Sequence, residues 1–192
     1  YPEAYYVPPL QSIEHIDFVH GGASLMYGPQ PGGALNFITK QPATGTPFAA
    51  YTEHSVGDDE LFSTYTSLSG TVEPLGYRHY LHEREGNGFR EGNSDFEVLG
   101  GGLKFTVDQG ADARWTFNYD EYHEEHGEPG GLTKAVADSE GRDQTTRFND
   151  RFRLARSYLT LGYDHRLVDG AVADQFMADV KAYIEGFDAK QV

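Results

Sequence analysis

Cysteine is absent from the 192 residues. That excludes a disulfide scaffold and a thiolate zinc site. Methionine occurs twice and tryptophan once. No apolar run approaches the roughly 18 to 20 residues of a transmembrane helix. Basic residues are scarce: 15 Lys and Arg stand against 30 Asp and Glu, for a formal charge of -15. A nucleic-acid partner requires a basic surface, so none is expected. The same deficit excludes a basic amphipathic helix lying on anionic lipid. The 192 residues contain no secretory leader pattern, which in a piece of a longer protein says nothing about export.

What is abundant is aromatic and small. Tyr and Phe number 13 and 12, and Gly 23. The clearest pattern runs from Ala113 to Glu121. Ala113, Trp115, Phe117 and Tyr119 share one face; Arg114, Thr116, Asn118 and Asp120 share the other. This is period-2 amphipathy, the signature of a strand with one apolar face. It recurs at 99–108, 158–164 and 176–185, and less cleanly at 48–56, 60–73 and 76–85. These segments predict about seven antiparallel strands, each of a length that crosses a bilayer when tilted. The mean hydropathy of -0.58 does not oppose this, because only alternate residues of such a strand meet lipid. Connections at 73–76, 108–112 and 168–173 are tight, whereas those at 86–95 and 124–153 are long. Alternating short and long connections fit a barrel with short turns on one side of a membrane and long loops on the other. The short connection near 55–60 breaks the trend. The chain opens in mid-pattern at Tyr1 and stops after an unfinished strand at Val192, as a piece of a longer protein would.

Residues 13–40, IEHIDFVHGGASLMYGPQPGGALNFITK, carry a dense motif. An alternating strand at Ile13–Val19 is followed by a turn containing Gly21, Gly22, Tyr27 and Gly28. Gly32, Gly33 and Asn36 then lead a second strand that ends at Thr39–Lys40. The segment resembles the end of the plug domain of TonB-dependent outer-membrane receptors. Tyr27–Gln30, Thr52–Ser55 and Pro129–Thr133 resemble the ferric dicitrate branch of that family. The resemblance implies an all-β membrane barrel: about seven antiparallel strands of a roughly 22-stranded barrel whose lumen is plugged. The C-terminal part of an α/β plug domain would precede it, with plug and linker over 1–45 and barrel strands over 46–192. It further implies a Gram-negative outer membrane, surrounding lipid, and TonB as the energising partner. The imported ligand would be an Fe3+ chelate, plausibly ferric citrate or a carboxylate siderophore. No covalently bound cofactor, metal site or catalysis is expected. A signal-transducing receptor and an importer of cobalamin, sugar or another chelate are the alternatives within the family. A soluble β-sandwich adhesin is the alternative outside it. The family usually has Arg or Lys where this chain has His20, so pairing with barrel carboxylates would depend on pH. An isolated open barrel piece would leave strand edges and an apolar face bare, and is not expected to fold alone as a stable monomer.

Ligand-binding candidates follow from charge and position. Gln30 sits at the tip of the glycine-rich loop; the alternative is a structural polar tip. Arg90, Arg142, Arg147 and Arg151 lie in or beside the long connections, with Arg153 and Arg156 close behind. Guanidinium groups bind carboxylates in bidentate fashion, which suits an anionic chelate. Neutralisation by Glu140, Asp143 and Asp150 is the competing explanation. The glycines could cradle phosphate, but no Lys-Ser/Thr follows them, so turn geometry is the simpler account. His123-Glu124-Glu125-His126 lacks the spacing of a zinc helix, and its histidines fall on opposite faces of a strand. Trp115, Tyr119 and Tyr122 are expected in an aromatic girdle at a membrane interface.

Overall fold

The computed structural model describes residues 6–21, 33–110 and 113–165. Within them the chain is mostly antiparallel sheet with little helix, an all-β fold. A single 3-10 turn at Leu10–Ser12 leads into β1 (Ile13–Val19), which pairs with β2 (Ala34–Thr39). Six longer strands follow in strict sequence order: β3 (Ala49–Val56), β4 (Phe62–Val72), β5 (Leu75–Gly86), β6 (Phe96–Gln109), β7 (Ala113–Gly127) and β8 (Arg151–His165). One short helix, α1 (Lys134–Ser139), interrupts the long connection between β7 and β8. Thr133 caps it by accepting from the Val136 amide. Among the described residues no helix is long and apolar enough to cross a membrane, which says nothing about strands.

Six of the seven predicted strands are present; the one placed at 176–185 lies outside the described residues. The last three observed strands, β6 to β8, are longer than the apolar alternation alone indicates. β7 continues to Gly127 and β8 begins at Arg151. Their extra ladder is polar: Arg153 donates to both oxygens of Glu125 at 2.8 and 3.0 Å across the strand pair. Opposite charges on facing positions support a ladder that hydrophobic periodicity cannot reveal.

The two faces of the six-stranded sheet differ. The inner face carries residues 6–12 and the end of β2. Lys104 on β6 donates to Thr39 Oγ1 at 2.8 Å and to the Lys40 carbonyl at 3.2 Å. Thr71 donates to the Ala43 carbonyl and Gln11 to Glu53. The most buried aromatics are here: Tyr65, Tyr80 and Tyr122, at 2, 9 and 6% exposure. Each hydroxyl has a partner: Arg78 donates to Tyr65 at 3.0 Å, Tyr80 donates to Asp120 at 2.8 Å, and Tyr122 donates to Glu124 at 2.6 Å. A buried tyrosine is stable only when its polar tip is satisfied in this way. Room for the rings comes from β6. A Cβ at Gly102 would overlap the Asp120 carboxylate and the Tyr80 ring, and one at Gly100 would overlap His82.

The outer face shows the opposite character. Leu159 and Leu161 are 62 and 68% exposed, and Leu81, Leu99, Trp115 and Tyr163 are also exposed. The Trp115 and Tyr163 rings pack at 4.5 Å between centroids, tilted by 42°. Tyr122 departs from the girdle expectation. Its even number puts it on the inner face, opposite Trp115 and Tyr119, where it contacts Tyr6.

Candidate functional site

The long connections 87–95 and 128–150 close over one end of the sheet. Arg90 holds them together: its Nε donates to the Gln144 carbonyl at 2.6 Å and its Nη2 to the Gly130 carbonyl at 3.0 Å. Thr145 donates to the Gly92 carbonyl at 2.6 Å and accepts from the Gly92 amide. Asn93, with φ of 53°, donates to the carbonyls of Arg147 and Asp150. Carbonyl groups in loops need donors as much as those in strands, and these side chains supply them.

The arginine cluster is drawn largely into ion pairs. Arg151 donates to both oxygens of Asp95 at 3.1 and 2.8 Å, and its Nε lies 2.8 Å from Glu125. The Arg151 guanidinium holds the Asp95 carboxyl below its ordinary range. Arg147 pairs with Asp150 at 3.0 Å. Arg142 is exposed and makes no ion pair among the described residues. The structure therefore brings Arg90, Arg147 and Arg151 into one loop cluster, each engaged with protein groups, and leaves Arg142 at its surface. Gln30, Gly22, Tyr27, Gly28 and Gly32 lie outside the described residues. Gly21 and Gly33 both have positive φ, 73° and 105°, and Asn36 pairs with Asp17 across the β1–β2 ladder. His123 contacts Glu121, and His126 contacts Glu124, on opposite faces of β7. Among the described residues no cluster of three or more His, Asp and Glu side chains is arranged to hold a metal.

At the other end of the sheet, β8 pairs with β7 along its whole length. Asp164 stands opposite Arg114, and His165 opposite Ala113. Arg114 is itself clamped in two-pronged fashion by Asp108, at 2.6 and 3.1 Å. Across this end of β7 and β8, charged residues therefore follow directly on the apolar Trp115–Tyr163 pair.

Residues 149–191 match the family of the 2-oxoacid dehydrogenases acyltransferase (catalytic domain). The match covers less than a quarter of the chain. Its described portion is chiefly β8, and the remainder begins at Arg166.

This match overturns the resemblance to TonB-dependent outer-membrane receptors as a guide to the chain's family. It also overturns ferric-chelate import as the function, together with the expectation that the protein is not an enzyme. The error has a physical origin. Alternation at 158–164 and 176–185 and a glycine at 170 read equally well as strand, turn and strand. On that pattern Asp164 ends a strand and Asp169-Gly170 falls in the tight turn at 168–173, so neither reads as chemistry. A usable signal was present. His165 is the only histidine between 149 and 191, and it sits between an acid and a base. Histidine is the side chain type most often used to move a proton.

Proposed function

We propose that the chain takes part in acyl transfer and that His165 is its general base. The family match over residues 149–191 carries this reading. Acyl transfer needs a group that removes a proton from the acceptor near neutral pH and returns one to the leaving group. Histidine is the side chain whose ordinary pKa suits both halves of that task. With no cysteine in these 192 residues, none of them carries the acyl group on sulfur, and a thiol acceptor comes from the substrate. The acceptor thiol loses its proton to the imidazole, and the thiolate adds to the acyl carbonyl. The tetrahedral intermediate then expels the donor thiolate, which takes the proton back. The test is transfer of an acetyl group from a small thioester to a soluble thiol, with the uncatalysed rate subtracted. His165→Asn is expected to lower the rate by about 100-fold, the usual scale of general-base catalysis, with unchanged far-UV circular dichroism. Wild-type protein that transfers no faster than buffer, or a variant as fast as wild type, would overturn the proposal.

A second reading concerns the sheet and rests on a separate observation, the exposed apolar outer face. We infer that β3–β8 form part of the wall of a membrane barrel in an outer membrane, with Leu81, Leu99, Leu159 and Leu161 against lipid. Strands of 8–15 residues in an unbroken antiparallel meander support it. Water-exposed apolar surface of this extent needs a covering, and a bilayer supplies one without any side-chain complementarity. Flotation with phospholipid vesicles tests it: the refolded chain should rise with the lipid. A protein that stays behind as a monodisperse soluble monomer would sink the idea.

A further inference from the structure

Residues 6–12 cross the inner face of the sheet as a strap. Its path follows one cross-strand row: Glu53, Tyr65, His82, Gly100, Tyr122 and Arg156, one residue from each strand β3 to β8. At the β8 end the Tyr6 ring meets Tyr122 edge-on at 5.0 Å and lies under the Arg156 guanidinium at 4.1 Å. At the β3 end Gln11 donates to Glu53 at 2.6 Å. Six strands spaced about 4.8 Å apart span about 24 Å. The backbone from residue 6 to 11 reaches at most about 18 Å. The side chains of Tyr6 and Gln11 make up the difference as posts, and the Pro8–Pro9 pair keeps the span extended. Beneath it lies a cleft of about 540 Å³.

The cleft has an apolar lining with one uncommitted charge. Val7, Leu10, Tyr65, Phe96, Val98 and Tyr122 contribute most of the apolar wall. The carboxylates around the row are engaged. Glu124 accepts from Tyr122 and contacts His126, Glu53 accepts from Gln11 and Tyr51, and Asp120 accepts from Tyr80. The cations along the row other than Arg84 are occupied in part or in full, although Arg156 Nη1 is buried without a hydrogen-bond partner among the described residues. Lys104 is held by Thr39 and Lys40, Arg78 by the Tyr65 hydroxyl, and Arg156 lies between the rings of Tyr6 and Tyr158. Arg84 lines the cleft with its guanidinium 5.1 Å from the Phe96 ring centre, and among the described residues it has neither ion pair nor hydrogen bond. A guanidinium resting on an aromatic ring keeps its in-plane donors pointing outward, available to a carboxylate or sulfonate.

We propose that this cleft binds a small organic anion with an apolar body: the body beneath the strap against Tyr65, Val98 and Tyr122, the anionic group on Arg84. A cavity of this volume suits one compact aromatic acid. The assignment is independent of acyl transfer, so loss of one leaves the other standing. Calorimetric titration of the full chain with naphthalene-2-carboxylate, and with naphthalene-2-methanol as neutral counterpart, tests it. The acid is expected to bind one to one and about tenfold more tightly than the alcohol, the scale of one charge-assisted contact. Arg84→Gln should abolish that difference and leave the alcohol unaffected. Val98→Phe, which fills the cleft from below, should weaken both probes; it gives a second reading if the Arg84 variant fails to fold. Equal affinity of acid and alcohol for the native chain overturns the proposal. So does acid binding that survives either substitution unchanged, or no binding of either probe at millimolar concentration.

Discussion

The two faces of the six-stranded sheet are written in the same period-2 grammar but have opposite fates. On the inner face, Tyr65, Tyr80 and Tyr122 are covered by residues 6–12 and by neighbouring rings, and every hydroxyl is bonded. On the outer face, Leu159, Leu161 and Trp115 are larger in apolar content yet stay exposed. Apolarity therefore does not identify the covered side of this sheet. The covered face is the amphipathic one, because aromatic residues with polar tips tolerate a partly polar lining of Asp120, Glu124 and Arg78. The apolar patch of the outer face, around Trp115, Leu159 and Leu161, is left uncovered by this chain's described residues.

Three substitutions would break or sharpen that contrast. The largest effect belongs to Leu161→Arg on the outer face. Against a bilayer it should cost about 2–4 kcal/mol near the midplane. At a water-facing position the change would stay within about 0.5 kcal/mol. Urea unfolding in lipid vesicles measures the difference, and a null result there would return the outer face to solvent. On the inner face, Gly102→Val drives a branched side chain into the Tyr80–Asp120 hydrogen bond. It should destabilise by about 1–3 kcal/mol, the cost of overpacking, whatever surrounds the outer face. A midpoint equal to wild type would mean that the tyrosine row is not tightly packed.

The smallest effect lies in the loops that cap the sheet. Arg151 hydrogen bonds hold Asp95 below its ordinary value of 3.8. A depressed carboxyl stabilises above its ordinary value, and that contribution is lost as pH falls through the lowered one. Because Asp95 is 47% exposed, the pair is expected to contribute well under about 1 kcal/mol. Asp95→Asn should remove a shallow acid dependence below about pH 4 and little else. A midpoint shift that persists undiminished at pH 7 in high salt would point to packing rather than charge.

The strand pattern was the most legible feature. Alternation at Ala113–Glu121 and at 99–108 located β7 and β6, because a lone strand already fixes which residues share a side. It undercounted length where charged pairs such as Arg153–Glu125 replace apolar ones. The arginines were visible as a cluster, but not their occupation. Arg90 spends its donors on the carbonyls of Gln144 and Gly130, 54 and 40 residues away. No local pattern announces a bond of that range. His165 was legible in principle, as a lone imidazole among charges, and was hidden by the very alternation that located β8.

The sequence by itself determined the antiparallel, two-faced strands, the lack of cysteine and the excess of negative charge. These follow from residue identity and the two-residue repeat of an extended backbone. The tertiary structure alone decided which face is covered, which cations are neutralised and that Arg84 is left facing a cleft. Each of those outcomes depends on contacts between residues far apart in the chain, and the strap that joins Tyr6 to Arg156 and Gln11 to Glu53 exists only once six strands lie side by side.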